Sequence, residues 1–493
     1  MKNQVQLCTY ADRLGGTLAG LRELLEGPLA GLFGSVHVLP FFEPIDGADA
    51  GFDPIDHTRV DRRLGSWTDV AAFARTTDVM ADVIVNHISS RSPQFLDFVA
   101  KGDLSEHAGM FLTLAGVFPD GATERDLLAI HRQRPRLPFT PLTLADGSMR
   151  LLWTTFTAEQ IDIDVEHARG REYLDDILRV LGANGVTMVR LDAVGYAIKR
   201  AGTSCFMLEE TLQFVRSFAE RARQLGLEVL VEVHSHYEQQ LEIARHVDRV
   251  YDFALPPLVL HAFFSGTVRY LRRWIDIRPH NAVTVLDTHD GIGVIDVAGE
   301  RRRAGLLPDA ELPRVVERIH ANSRGESARA TGAAAANLDV TQVNCTFYDA
   351  LGGDDLAYLL CRAIQLFLPG VPQVYYVGLL AGGNDMALLS RTGVGRDINR
   401  HHYTRAEIDA ALERPVVAAL CELVRLRNSH PAFSGEFEMT EADGESELDF
   451  GWRNGAHFAR LRLNVRSRAH RLEYSRDGGS ARLDLGATDG VTG

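Results

Sequence analysis

The chain has 493 residues, 45% hydrophobic and 24% charged, ordinary proportions for a globular protein with a large core. A net charge of −14 with acids and bases interspersed argues against binding to nucleic acid or to a membrane surface. No run approaches the roughly 20 apolar residues of a membrane span, and the opening "MKNQVQLCTYADRLGG" lacks the apolar region of a signal peptide. Five cysteines (Cys8, Cys205, Cys345, Cys361, Cys421) without C-x-x-C spacing predict reduced core thiols, a cytoplasmic protein and no zinc site.

In chain order, apolar runs predict strands at "VQLCTY" (5–10), "SVHVLPFF" (35–42) and "DVIVNH" (82–87), with the helical pattern "TDVAAFARTT" before the third. Residues 88–167, with Pro-rich "RQRPRLPFTPL", are too long for a plain loop and predict an inserted domain. The helix "EYLDDILRVLGANG" leads to a strand at "TMVRLDA" (187–193). The next helix, "ETLQFVRSFAERARQLG", ends in Gly, a stop signal. Further strands follow at 227–234, 249–255, 282–290 and 370–378, interrupted by an excursion over 291–353. Eight near-continuous apolar strands alternating with helices predict a (β/α)8 TIM barrel, an α/β fold spanning residues 1–87 and 168–430. A doubly wound open sheet is the alternative, but no G-x-G-x-x-G follows the first strand. Residues 431–493 alternate and are punctuated by turns, predicting a small C-terminal β domain.

"TMVRLDAVGY" (187–196) sets Arg190 and Asp192 two positions apart, so both project from one face of a strand. Strand five ends near Glu232 and strand seven near Asp290, and barrel closure would point all three acids into one cleft. Like charges gathered this way, with Arg190, His234 and His289 beside them, raise each other's pKa and cost stability, a pattern kept for chemistry. A metal site is the competing use, but Arg190 would repel the ion. Paired carboxylates suit glycosidic bond cleavage. Asp192, held ionised by Arg190, serves as nucleophile. Glu232, kept protonated by desolvation, serves as acid, and Asp290 stabilises the positive charge developing at the anomeric carbon.

"VRLDAVGY", "VEVHSHY", "VLDTHDG" and "DVIVNH" resemble signature regions of the α-amylase clan. "GADAGFDPIDHTRVDRRLGSW", "YDFALPP", "NAVTVLDTHDGIGVID", "LPGVPQVYYVG" and "GRDINRH" resemble the sucrose phosphorylase branch, over residues 4 to about 430. The resemblance implies a retaining double displacement with Asp192 as nucleophile, Glu232 as general acid/base and Asp290 as transition-state stabiliser. It implies that Asp49, Phe52, His87, Gln160, Arg190, His289 and Arg396 hold the glucosyl unit. Asp49 and Arg396 would clamp the far hydroxyls, and Phe52 would offer an apolar platform. The clan's frequent calcium site is not implied for this branch, so neither metal nor cofactor is expected. A homodimer is expected from the resemblance alone.

Phosphorolysis requires cations beside the acceptor subsite, because phosphate must approach carboxylates. "IHRQRPRLPF" supplies His131, Arg132, Arg134 and Arg136, and His234 follows Glu232 on the same face. By resemblance Arg134 falls on the family's phosphate position, and Thr341 and Gln342 belong to the acceptor site. A catalytically dead barrel acting as a sugar-binding or scaffold subunit would show a substituted triad or a membrane anchor, and neither appears. Relatives of this branch commonly carry Tyr at Thr341, Gly at Arg136 and Tyr at His131. Those departures remove bulk and add charge, which predicts sucrose 6′-phosphate and phosphate as substrates, with unphosphorylated sucrose as the alternative. A hydrolase or transglucosylase is the more distant reading.

Overall fold

In a computed structural model describing residues 2–47, 49–132, 136–300, 303–332, 342–440 and 444–486, the predicted strands close into a parallel eight-stranded barrel. In sequence order these are β1 (Gln6–Thr9), β2 (Ser35–Val38), β3 (Asp78–Ile84), β4 (Met188–Asp192), β5 (Glu228–Val231), β6 (Arg249–Asp252), β7 (Ala282–Thr284) and β8 (Val371–Tyr375). Each pairs with its sequence neighbours, and β8 pairs with β1.

Register decides what fills the barrel. Met188 lies beside Met80, Arg190 beside Asp82, and Asp192 beside Ile84. Side chains two apart share a face, so β4 sends Met188, Arg190 and Asp192 inward at successive levels. Met80 and Met188 pack with Leu230, Tyr251, Val283 and Val371 into an apolar plug. Above it Asp82 and Arg190 form a charged layer, and Asp192 stands at the rim. Chemistry begins where apolar filling stops.

The strands are shorter than their apolar runs. The run predicted as strand over 282–290 leaves the sheet after Thr284, because side chains from a distant segment claim its backbone. Asn399 Nδ2 donates to the carbonyls of Thr288 (2.8 Å) and Asp290 (3.2 Å), and Arg400 Nε donates to that of His289 (2.8 Å). These bonds replace ladder pairing and fix the loop carrying His289 and Asp290.

The helix Glu209–Gln224 ends as its Gly signals. Gly226 takes φ +77°, its N–H bonds to Arg223 O, and Leu227 N–H bonds to Ala222 O, a Schellman closure. That tight end delivers the chain directly into β5.

Two excursions leave the C-terminal face. After β3, His87–Ser89 pairs with Gln160–Asp162, and Phe139–Thr143 forms a hairpin with Met149–Trp153. After β7, Ile292–Gly293 pairs with Gln342–Val343, and the helices Glu311–Asn322 and Glu326–Thr331 lie between. Beyond the barrel, β9 (Glu436–Met439), β10 (Glu447–Asn454), β11 (His457–Asn464), β12 (His470–Arg476) and β13 (Gly479–Leu483) make an antiparallel meander. It docks on the barrel through Trp452, whose Nε1 donates to Phe367 O at 2.6 Å. The five cysteines are free and buried. Among the described residues no helix is long and apolar enough to cross a membrane.

Candidate active site

Arg190 organises the acids. Its Nη1 donates to Asp82 Oδ1 at 2.5 Å and to Asp192 Oδ1 at 2.9 Å, and its Nη2 lies 4.0 Å from Glu232 Oε2. Ala193, next after the nucleophile candidate, adopts φ 55° and ψ 21°. A left-handed conformation costs a residue with a Cβ about 1–2 kcal/mol. Here it turns the Ala193 N–H onto Glu232 Oε2 at 3.3 Å, tying two strand ends together. Asp192, Glu232 and Asp290 all line one pocket, of about 740 Å³ including its open mouth. The sequence reading brought these three acids together from positions far apart.

Their electrostatics divide them. Burial pushes the Asp192 carboxyl up to about 8; Glu232, Asp82 and Asp290 push the same way, and Arg190 only partly opposes them. Arg190, which the sequence reading expects to hold Asp192 ionised, is outweighed by burial, and it also serves Asp82 through the same guanidinium nitrogen. Burial also pushes Asp290 up, but Arg396, His289, Arg400 and Arg190 outweigh it and hold Asp290 well below the usual carboxylate range. Asp290 therefore stays charged, as a stabiliser of developing positive charge must.

The sugar-binding candidates gather around Phe52. Its ring stacks on His289 at 5.0 Å and 9°. Its carbonyl faces His87 Nε2 at 3.0 Å and accepts from Gln160 Nε2 at 3.3 Å. Burial lowers the pKa of both His87 and His289, leaving neutral imidazoles suited to hydroxyl groups. Arg396 Nη1 bridges Asp49 Oδ2 (3.4 Å) and Asp290 Oδ1 (2.9 Å). Asp49, Phe52, His87, Gln160, His289 and Arg396 all line the pocket, and Arg190 lies buried behind it.

The acceptor side is less as the sequence suggests. His234 and Gln342 line the pocket, with Gln342 Nε2 3.0 Å from His234 Nε2. His131 does not line it. It stacks on Phe206 at 4.2 Å, and burial lowers its pKa despite the nearby Glu300, so it adds little positive charge. Arg136 is exposed and is not among the lining residues. Arg134 and Thr341 lie outside the described residues. The sequence reading missed the aromatic wall of Phe156, Tyr196 and Phe206. Tyr196 was legible in principle, four residues after Asp192 in "DAVGY". Phe156 and Phe206 carry no local signal.

Glu232, His234 and Asp290 each offer one ligand atom within 4.8 Å of the others. The set suits a metal by atom type but not by surroundings. Asp290 Oδ1 already meets Arg396, and Arg190 approaches Glu232. A divalent ion would be set against two guanidiniums.

No protein-family profile matches the chain. A sucrose phosphorylase of Agrobacterium vitis is 60% identical over 463 residues, covering 94% of this chain and 95% of that protein. A sucrose phosphorylase of Bifidobacterium adolescentis is 56% identical, covering 94% and 92%. The crystal structure of sucrose 6F-phosphate phosphorylase from Thermoanaerobacter thermosaccharolyticum superposes with a TM-score of 0.89 at 37% identity, covering 98% of this chain and 97% of that one. With this kinship along nearly the whole chain and a barrel carrying three acids at its rim, the protein belongs to the sucrose phosphorylase branch of the α-amylase clan.

Proposed function

We propose that the protein is a retaining glycoside phosphorylase converting sucrose and phosphate into α-D-glucose 1-phosphate and fructose. The observation that carries the reading is the convergence of Asp192, Glu232 and Asp290 on one pocket that Arg396, Asp49 and Phe52 also line. Asp192 attacks the anomeric carbon as the bond to the fructosyl oxygen breaks, and Glu232 gives that oxygen its proton. A phosphate oxygen then attacks the same carbon, the bond to Asp192 breaks, and the phosphate proton passes to Glu232. Asp290 faces the positive charge of both transition states. Two inversions restore the α configuration.

Unphosphorylated sucrose is preferred over the 6′-phosphate that the sequence departures suggest. The relatives at 60% and 56% identity are sucrose phosphorylases, and the two departures open to description add little charge to the pocket: His131 is stacked and Arg136 is exposed. Sucrose 6′-phosphate remains the second reading, favoured by the likeness to a sucrose 6F-phosphate phosphorylase structure. We also propose that 88–167 is a domain inserted after β3, that 291–353 is an excursion after β7 within the barrel, that 1–87 with 168–430 is the catalytic barrel, and that 431–493 is a small C-terminal β domain. Cytoplasmic location and a homodimer belong to the same reading. The test is incubation with phosphate and a panel of α-glucosides, with glucose 1-phosphate as the readout. Its absence with sucrose, or formation of the β anomer, overturns the reading.

A further inference from the structure

Asp296 belongs to none of the groups assigned above, yet it is fully buried one residue shell behind the pocket. It sits in the short turn Ile295–Val297 and accepts three hydrogen bonds. Its Oδ1 accepts from Ser235 N (3.2 Å) and Gln240 Nε2 (2.7 Å), and its Oδ2 from His234 Nδ1 (2.9 Å). Among the described residues no arginine or lysine pairs with it, so the imidazole is its counter-charge. A buried carboxylate with no cation partner is costly, which favours the imidazolium form of His234.

The imidazole is locked in place. Phe253 stacks on it at 3.9 Å and 19°. A Cβ on Gly293 would lie 2.8 Å from Asp296 Oδ2 and 3.3 Å from the His234 ring, so only glycine admits the pair. The other ring nitrogen, Nε2, stands 3.6 Å from Glu232 Oε1 in the pocket wall.

We propose that Asp296 is a positioning residue of the acceptor subsite, holding His234 as a fixed cation beside Glu232 so that an anionic acceptor can reach the glucosyl-enzyme. The proposal rests on the phosphorylase reading and deepens it. Phosphate entering the pocket meets Glu232 and Asp290, and a cation there offsets their repulsion. The groups facing His234 are Glu232 on its own strand end, Asp296 and Asp290 from the segment after β7, and Gln342 from the far end of that excursion. Arg396 lies one residue further, 3.5 Å from Gln342 Oε1. Burial lowers the His234 pKa, but Asp296, Glu232 and Asp290 together raise it above its ordinary value. Gln342 can serve the imidazolium by turning its amide, since the bonds its oxygen gives up, from Gly291 N and Arg396, are long at 3.4 and 3.5 Å.

The test combines Asp296→Asn, His234→Gln and the double variant. Asp296→Asn keeps the shape but removes the charge. The KM for phosphate should rise about tenfold or more while kcat at saturating phosphate falls less than about threefold. The basic limb of kcat/KM for phosphate should move to lower pH, a shift that phosphate's own titration cannot produce. Within His234→Gln, adding Asp296→Asn should change the phosphate KM less than about twofold, since the two act as one unit. Should Asp296→Asn not fold, histidine NMR of the unmodified protein, assigned by the signal lost in His234→Gln, reads the His234 pKa directly. A value above that of an ordinary histidine supports the proposal, and one below it overturns the proposal. An unchanged phosphate KM and basic limb in Asp296→Asn, or independent effects of the two substitutions, overturn it in an enzyme that still forms glucose 1-phosphate. A native enzyme that forms none overturns the phosphorylase reading, and the proposal with it.

Discussion

Arg190 and Asp192 meet at 2.9 Å across the two-residue spacing of a single strand, at the level where the barrel's apolar filling ends. The same guanidinium nitrogen holds Asp82 at 2.5 Å, so one cation is divided between a buried structural acid and the acid at the rim. Asp82 has a second partner, His37 Nε2 at 3.0 Å, and burial, which would raise its pKa, is outweighed by His37 and Arg190. Asp82 is thus anchored from both sides, whereas Asp192, the proposed nucleophile, meets the guanidinium through its Oδ1.

Asp192→Asn should lower turnover of sucrose by several orders of magnitude while the fold is retained. It removes the attacking charge and, with it, the covalent route that splits one hard displacement into two. Circular dichroism checks the fold and a coupled glucose 1-phosphate assay checks the rate. A variant keeping a tenth of native activity means that another group is the nucleophile.

The same substitution should stabilise the protein in a pH-dependent way. The folded-state pKa of Asp192 lies above its unfolded value, toward about 8, because burial disfavours the charge. Its contribution to stability is therefore fully present below pH 4 and is lost as pH rises through 8. Asparagine cannot ionise. The Tm advantage of Asp192→Asn should be near zero at pH 4 and grow toward pH 8 to 9. A constant difference across that range would count against a raised Asp192 pKa. In the native enzyme, kcat/KM for sucrose should fall on the acid side with an apparent pKa above that of an ordinary carboxylate.

Glu232→Gln should abolish work on substrates with poor leaving groups and spare those with activated ones. Sucrose needs a proton on the departing oxygen, whereas glucosyl fluoride does not. Parallel kinetics on the two substrates read the split directly. Equal losses on both mean that Glu232 is not the proton donor.

The sequence made the acids at the strand ends legible because the strand period is short and local. Two-residue spacing put Arg190 on the Asp192 face, and the registers beside β4 follow from barrel order. What could not be read depends on partners far away in the chain. The loop carrying His289 and Asp290 is shaped by Asn399 and Arg400, over a hundred positions later. Asp296 finds His234 across 62 positions and so carried no local mark. The predicted strand over 282–290 stops at Thr284 for the same reason: its apolar run continues, but side chains replace its ladder.

Arg396→Met should lower kcat/KM for sucrose by about ten- to a hundredfold, the scale of one charge-assisted contact. Arg396 bridges Asp49 and Asp290, so its loss also removes the largest influence holding Asp290 charged against burial. The acid-side stability of Asp290, present above its unfolded pKa and lost as pH falls toward its depressed folded value, should therefore be smaller in the variant, whose melting temperature should fall less steeply below about pH 4 than that of the native enzyme. Thermal melts from about pH 2 to 6 measure that difference. Identical melting profiles would place the charge balance of Asp290 elsewhere.

The last prediction separates the two donor sugars. Arg136 is exposed and stands apart from the residues lining the pocket, and His131 is stacked on Phe206 with its pKa lowered. Neither is placed to supply a desolvated charge to a phosphate on the fructosyl unit. An exposed arginine is hydrated and screened, so its contact with such a phosphate is worth well below the 1.5–3 kcal/mol or so of a buried charge-assisted bond. The unmodified enzyme should prefer sucrose over sucrose 6′-phosphate in kcat/KM by about tenfold or more. Arg136→Gly should change kcat/KM for sucrose less than about twofold and weaken any residual use of the 6′-phosphate mainly through KM. Raising salt from 50 to 500 mM should likewise depress the 6′-phosphate reaction more than the sucrose reaction. If sucrose 6′-phosphate is instead the better substrate and Arg136→Gly abolishes that preference, the basic segment reaches the acceptor in the working enzyme, and the donor is the phosphorylated sugar.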